Sequence, residues 1–194
     1  MIKIIPISII LLGSSIVFWR VYSEKILYQP EYKTISKYKS IEIREYDKLK
    51  VITTTETLPY QQATNAGFRT LANYIFGNNQ NNLSIPMTAP VITTYPNENS
   101  VDIAFIINND YSINELPAPI SNNINFQELE LGKVAVIKFG LWATSNKIQT
   151  MKEKLEHYLN KNSIQYSSNF FVAQYNSPWI IPPFRKNELI VSIK

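Results

Sequence analysis

Residues 41–46 read Ile-Glu-Ile-Arg-Glu-Tyr and alternate apolar with polar side chains, as a strand with one buried face does. The Thr-rich run Val51–Thr57 has high strand propensity and predicts a second strand. A helix is predicted from Pro59 to about Phe76, because a proline opens it and a Gly-Asn pair follows it. Two further strands are predicted at Val91–Tyr95 and Val101–Ile107. This stretch therefore predicts the order strand, strand, helix, strand, strand.

The second half of the chain repeats that order. Strands are predicted at Phe126–Leu131 and Val134–Phe139, and a helix capped by Thr144 or Ser145 is predicted to run to about Asn162. The last two strands are predicted at Phe170–Tyr175 and Glu188–Ile193. The repeat predicts one α+β domain of two similar halves, whose sheets meet as a curved sheet or an open barrel.

The composition excludes several kinds of site. The 194 residues include no Cys and one His, so disulfides, thiolate nucleophiles, Cys-ligated zinc and histidine-cluster metal sites are ruled out within one chain. The net charge is +4, of which Lys3, Arg20 and Lys25 against Glu24 place +2 in residues 1–25. No run of basic residues remains, so we expect no nucleic-acid partner.

Residues 4–19 carry no charge, which predicts that residues 1–25 are an N-terminal signal or membrane anchor. The run is long for a signal peptide and short for a full membrane span of about 20 residues. The best cleavage site, before Glu24, is weak, so an uncleaved anchor is favoured over a cleaved signal. We therefore expect a domain from residue 31 to residue 194 that is membrane-anchored or exported, outside the cytoplasm.

His157 lies on the second predicted helix, opposite its buried face. Ile148, Met151, Leu155 and Leu159 form the apolar stripe of this helix, and His157 is rotated about 180° from Ile148 at 100° per residue. The side chain is predicted to be exposed. It would need a second chain, or an unusually exposed site, to act as a ligand.

The first predicted helix has two faces of different character. Its apolar face comprises Ala63, Gly67, Leu71, Tyr74 and Ile75. The other side mixes polar with apolar residues, namely Asn65, Arg69, Asn73, Ala72 and Phe76, with Phe68 at the border. This side could form a platform for a flat apolar ligand, with Arg69 available to an acidic group. The alternative is that Phe76 packs under the loop that follows.

Five motifs occur in a distinctive order. They are Gly67-Phe68-Arg69, Asn-Tyr-Ile-Phe-Gly-Asn-Asn at 73–79, Ile-Pro-Met-Thr-Ala-Pro-Val at 85–91, Tyr-Asn-Ser-Pro-Trp at 175–179, and Pro-Pro-Phe-Arg-Lys-Asn-Glu at 182–188. Together they resemble the SOUL haem-binding protein family over about residues 32–193. The resemblance implies two β-strand/helix halves in a distorted eight-stranded barrel flanked by two helices.

The resemblance also implies that haem or another tetrapyrrole binds in a shallow apolar cleft beside the first helix. The implied binding residues are Asn65, Phe68, Arg69, Ala72, Asn73, Phe76, Met87 and Arg185. Arg69 would face a propionate, and Arg185 with Lys186 would either contact a second propionate or form an exposed basic pair. Met87 would face the cleft or the core, with the core favoured. Trp179 would pack over the barrel or stack on the ligand.

One departure from the family concerns the iron. Some members carry a histidine in the strand that matches residues 41–46, where Glu45 or Tyr46 stands here. A carboxylate is a poor haem ligand, whereas a tyrosinate can bind ferric iron. The sequence therefore predicts binding without a histidine axial ligand, with modest affinity and little discrimination between haem and metal-free porphyrin.

Three functions are weighed on this basis. The favoured one is a non-enzymatic protein that carries or buffers haem, with no catalytic residue and no metal ligand from the chain. The alternatives are an enzyme on the same fold that processes a tetrapyrrole or another small molecule, and an anchored interaction protein. The enzyme would need a convergent acid/base pair in the cleft, which the first helix does not offer.

Overall fold

A computed structural model describes residues 27–96, 100–177 and 180–194. The predicted leader at residues 1–25 and the side chain of Trp179 lie outside these ranges. Within the described ranges, no helix combines the length and the apolar character that crossing a membrane requires.

The described residues form nine strands and two α-helices. The strands are β1 Tyr32–Tyr38, β2 Ile41–Tyr46, β3 Leu49–Glu56, β4 Val91–Thr94, β5 Val101–Ile106, β6 Asn125–Leu129, β7 Gly132–Phe139, β8 Tyr166–Gln174 and β9 Asn187–Ile193. The helices are α1 Tyr60–Ile75, between β3 and β4, and α2 Ser145–Lys161, between β7 and β8. The predicted order of both halves is confirmed, and β1 precedes the first half as an additional strand.

All nine strands belong to one antiparallel sheet in the order β1-β2-β7-β9-β8-β4-β5-β3-β6. The two halves exchange their first strands within this sheet. β2 of the first half pairs with β7 of the second, and β6 of the second half pairs with β3 of the first. The β4–β8 pair joins the two four-stranded parts at the centre.

The predicted eight-stranded barrel is wrong in strand number, and closure is not observed. The strands at the two ends of the sheet are β1 and β6. A strand has two hydrogen-bonding edges, and those of β2 pair with β1 and β7. A ring of eight strands would need β6 to pair with β2, but both edges of β2 are already taken.

Both helices pack on one face of the sheet. Leu71, Tyr74 and Ile75 of α1 share a buried cluster with Ile148 and Leu155 of α2. The predicted apolar faces of both helices are thus confirmed, and α2 begins as predicted after Thr144, whose hydroxyl accepts from the Lys147 N–H at 3.3 Å. His157 is exposed, as predicted.

α1 approaches the sheet closely at Gly67. A Cβ atom at this position would lie 2.5 Å from Cδ1 of Ile103 and 3.1 Å from its Cβ, and Ile103 is fully buried on β5. The glycine therefore lets the helix lie directly on the strand, which fixes the distance between the sheet and the residues on the flanks of α1.

Replacing Gly67 with alanine should destabilise the protein by about 1–2 kcal/mol, because overpacking outweighs the better helix propensity of alanine. Thermal or urea unfolding measures the effect. Adding Ile103→Val, which deletes the nearest methyl, should recover part of the loss, since Cγ1 at 2.8 Å from the new Cβ remains. A Gly67→Ala protein more stable than wild type would contradict the close approach.

A second buried cluster covers the other face of the sheet and draws residues from both halves. Val51 and Ile106 from the first half meet Val134, Val136 and Ile190 from the second. Because buried residues of both halves belong to this one cluster, this face of the sheet is enclosed as well.

A charged network lies on this second face, where the sequence predicted a solvent-facing side of β2. Glu42 is 4% exposed and Arg44 is 0% exposed, so the half-buried interpretation of residues 41–46 is wrong. Arg44 Nη1 and Nη2 donate to the two carboxylate oxygens of Glu188 at 2.9 Å, and Nη2 donates to Glu42 at 2.7 Å. The Arg44 guanidinium is therefore buried because it pairs with carboxylates on two strands, Glu42 of β2 and Glu188 of β9.

Lys138 of β7 and Tyr175 also donate hydrogen bonds to this network. Lys138 Nζ donates to Glu42 at 2.6 Å, and the Tyr175 hydroxyl donates to Glu188 at 2.7 Å. Burial would raise the pKa of Glu42, but the hydrogen bonds from Lys138 and Arg44 outweigh it and lower the pKa to about 2. The Glu42 carboxylate is therefore ionised at neutral pH, and it is paired with Arg44 and Lys138.

Candidate ligand cleft

Two adjoining hollows lie along α1. The first has a volume of about 620 Å³, measured to include the space open to solvent. It is lined by Gln61, Thr64, Asn65, Phe68, Val91, Trp142, Ala143, Gln174, Asn176 and Arg185. Its lining combines amides and a guanidinium with aromatic rings.

The second hollow has a volume of about 500 Å³ by the same measure and is more apolar. It is lined by Leu27, Phe68, Phe76, Met87, Thr88, Ala89, Val91, Gln174, Tyr175, Asn176 and Ser177. Phe68, Val91, Gln174 and Asn176 line both hollows, so the two form one cleft beside α1.

Phe68 stands at the middle of this cleft. It is half-buried, and its ring packs against Phe105 of β5 with the centroids 5.3 Å apart. Gly67 holds the helix on the sheet one residue earlier, so the ring is supported from below and open to the cleft. Phe68 is thus a rigid apolar wall common to both hollows.

Arg185 and Trp142 form the polar end of the cleft. The Arg185 guanidinium carbon lies 3.9 Å from the Trp142 ring centroid, a cation–π contact. Its Nε donates to the Ile180 carbonyl at 3.2 Å and its Nη2 donates to the Ser177 carbonyl at 3.0 Å. Arg185 is 7% exposed, so the exposed basic pair considered from the sequence is wrong for this residue.

The structure brings five of the eight predicted binding residues to the cleft. Asn65, Phe68 and Arg185 line the first hollow, and Phe68, Phe76 and Met87 line the second. Phe76 is 66% exposed, so it does not pack under the following loop. Met87 is half-buried and also packs against the main core, which reconciles its two predicted orientations.

The other three predicted residues lie on α1 away from both hollows. Ala72 belongs to the core, and Asn73 is exposed. Arg69 is exposed, and its Nε donates to the Asn65 carbonyl at 3.3 Å. A role for these residues in ligand binding stays a prediction.

The side chains weighed as iron ligands lie outside the cleft lining. Glu45 is exposed on β2. The Tyr46 hydroxyl accepts from Arg44 Nη1 at 2.9 Å within the buried network, and burial raises its pKa to about 12, which disfavours the tyrosinate. His157 is exposed on α2.

Several lining residues were not identified from the sequence. Trp142 lies in the turn before α2, whereas Gln174 and Asn176 lie at and beyond the end of β8. The β4–β8 pairing brings Gln174 and Asn176 to the cleft beside α1. The one local signal was Trp142 itself, a large aromatic residue in a turn just before a helix cap.

Comparisons with known proteins agree over most of the chain. The sequence model of a family described as SOUL heme-binding protein matches residues 27–192. Heme-binding protein 1 of Xenopus laevis is 29% identical over 157 residues, which covers 77% of this chain and 82% of that protein. Heme-binding protein 2 of Homo sapiens is 28% identical over 148 residues, which covers 72% of this chain and 71% of that protein.

Solved structures with a similar fold are more distant in sequence. A hydrolase from Listeria innocua matches with a TM-score of 0.57 at 5% identity, covering 82% of this chain and 94% of that chain. The C-terminal domain of EcmrR matches with a TM-score of 0.58 at 12% identity, covering 84% of this chain and 98% of that chain. These likenesses show the fold alone. The motifs in their order and the family match over residues 27–192 together show that the chain belongs to the SOUL heme-binding protein family.

Proposed function

We propose that this protein binds haem or a related tetrapyrrole in the cleft beside α1 and carries or buffers it. The observation that carries the proposal is the continuous cleft centred on Phe68, in a chain whose relatives are named heme-binding proteins. The Phe68 ring forms one wall of the cleft, and Phe76 and Trp142 lie at its two ends. Aromatic rings in this arrangement suit a large, flat, apolar molecule.

The two ends of the cleft differ in a way that fits such a ligand. Phe76 and Met87 would contact the apolar part of the ring at the second hollow. The amides of Asn65 and Asn176 and the guanidinium of Arg185 lie at the first hollow, where ring carboxylates would find hydrogen-bond donors. A tetrapyrrole with its carboxylates on one edge would lie across both hollows.

The polar groups of the lining favour carriage over catalysis. They are amides, hydroxyls and one guanidinium. Amides and a guanidinium keep their protonation state near neutral pH, so they hydrogen-bond a ligand without moving protons. We therefore propose a non-enzymatic binding protein rather than an enzyme on the same fold.

We further propose that the tetrapyrrole binds without a histidine axial ligand, since His157 is exposed on α2 and absent from the lining of both hollows. Haem titration should produce a Soret shift, and His157→Ala should leave its position and midpoint unchanged. Protoporphyrin IX, which has no iron, should bind with an affinity similar to that of haem. Absorbance and fluorescence titrations measure all three quantities.

Two outcomes would contradict this proposal. Absence of a Soret shift at micromolar haem would remove the tetrapyrrole function itself. If only His157→Ala loses the Soret shift, the protein binds haem but His157 is the iron ligand. Because this side chain is exposed, the haem would then lie between two chains.

We also propose that residues 1–25 attach the domain of residues 31–194 to a membrane, or direct its export, at a non-cytoplasmic face. The support is the uncharged run of residues 4–19 with cationic residues on both sides. Association of the full-length chain with phospholipid vesicles is the measurement that checks the anchor.

A further inference from the structure

The ends of the cleft are bordered by exposed apolar side chains. Among the described residues, eleven large apolar or aromatic side chains are exposed. Two of these, Phe76 and Trp142, line the cleft. Four more are sequence neighbours of residues that line the cleft or bond to its lining: Leu83, Leu141, Ile181 and Phe184. Single exposed apolar residues are ordinary on a soluble protein, but a cluster around one opening indicates a surface that meets an apolar partner. We call these six side chains the rim.

The apolar end of the rim is held in place by backbone contacts. Phe76 is 66% exposed and pairs with Ser84 through an isolated bridge, which places the 47% exposed Leu83 next to it. The Asn79 side-chain amide donates to the Leu83 carbonyl at 2.7 Å. These exposed side chains therefore stand on an ordered loop.

Arg185 organises the other end of the rim. Its guanidinium lies on the Trp142 ring and bonds the Ile180 carbonyl. A short 3₁₀ turn at Pro182–Phe184 connects Ile180 to Arg185, with Ile181 49% exposed and Phe184 55% exposed. The same arginine that lines the first hollow thus fixes apolar side chains that face solvent.

The N-terminal segment enters the fold at the same opening. Leu27 lines the second hollow, and the Tyr28 carbonyl accepts from the Ala89 N–H at 2.9 Å. Trp19, the last residue of the uncharged run, is eight residues from Leu27, a separation of at most about 28 Å for an extended chain. Any bilayer that holds the uncharged run therefore lies within about 28 Å of Leu27 at the second hollow.

We propose that the cleft opens onto a phospholipid bilayer, with the rim side chains in the interfacial layer and the N-terminal segment as the tether. Aromatic residues at the level of the headgroups are typical of such contacts, and a second membrane signal strengthens an anchor that is short for a full span. The inference rests on the proposed function, since the cleft would then take up an apolar tetrapyrrole directly from lipid.

The natural chain contains no Cys, so single cysteines can be labelled without other changes. Phe76→Cys and Phe184→Cys place an environment-sensitive fluorophore at the two ends of the rim, and His157→Cys places a matched control on α2. Full-length proteins are bound to phosphatidylcholine vesicles with and without spin-labelled lipid. Both rim probes should shift to the blue and lose most of their emission to the lipid quencher, and the control should do neither.

Each other result overturns the inference. If the protein binds vesicles while the rim probes behave like the control, the segment before Leu27 is only a tether. If the rim probes are shielded from an aqueous quencher but not quenched by lipid, a second copy or the chain itself covers the rim. If the protein does not bind vesicles, neither the N-terminal segment nor the rim contacts the bilayer. Haem titration without vesicles tests the proposed function separately.

Discussion

Arg44→Met is expected to destabilise the protein by about 3–5 kcal/mol, because it leaves two buried carboxylates without their shared cation. Glu42 and Glu188 are 4% and 0% exposed, and Arg44 donates two hydrogen bonds to each of them. A loss of this size is a large part of the 5–15 kcal/mol that stabilises a typical domain. Urea unfolding followed by circular dichroism measures it.

A triple variant separates charge from packing. Replacing Arg44, Glu42 and Glu188 together with methionine, leucine and methionine removes all three buried charges while keeping the volume similar, and should recover most of the lost stability. Lys138 loses its partner Glu42, but its side chain is 36% exposed, so solvent can reach the ammonium group. Arg69→Met, at an exposed arginine on α1, is the matched control and should change stability by less than about 0.5 kcal/mol. A triple variant as unstable as Arg44→Met would show that geometry, rather than unpaired charge, dominates.

Phe68→Ala is expected to weaken tetrapyrrole binding roughly 10- to 100-fold, because full burial of a Phe side chain contributes about 1.5–3 kcal/mol. The effect should exceed that of other single changes in the lining, since this ring borders both hollows. Equilibrium titration with haem and with protoporphyrin IX measures the dissociation constants.

The matched control is Tyr38→Ala, which removes a 53% exposed aromatic ring stacked on Tyr158, away from the cleft. Its binding should equal that of wild type. Because Phe68 also contacts Phe105, thermal unfolding of Phe68→Ala must show that the protein is folded at the titration temperature. Phe68→Leu, which keeps apolar volume without the flat ring, should give an intermediate affinity. Unchanged binding in a folded Phe68→Ala would contradict the placement of the ligand.

Both helices and eight of the nine strands were predictable because each carries a local signal of its own, either an apolar periodicity or a run of residues with high strand propensity. β1 was missed since all seven of its side chains are exposed, which leaves no alternation to detect. The open sheet could not be distinguished from a barrel, because that depends on which strand takes the outer edge of β2. Glu42 and Arg44 looked solvent-facing because their partner Glu188 lies more than 140 residues away in the sequence.

The sequence also predicted only those parts of the cleft that depend on local spacing along the chain, and not those that depend on contacts between distant residues. The helical spacing identified Phe68 and Phe76 as a possible platform, and both line the cleft. Helical spacing also suggested Ala72, which the structure places in the core at 8% exposure, because the cleft follows one flank of α1 rather than its whole outer side. Trp142 and Asn176 reach the cleft only through strand pairing between the halves.

The exchange of first strands between the two halves has a consequence for the folding of the chain. During synthesis, β2 emerges early, but its partner β7 begins only at residue 132. Glu42 therefore cannot pair with Val136 until 94 further residues have been made. Contacts this distant slow folding, since a long loop must close before they form. Neither half can therefore mature as an independent module, and the nascent protein keeps an unpaired strand edge until most of its length has left the ribosome.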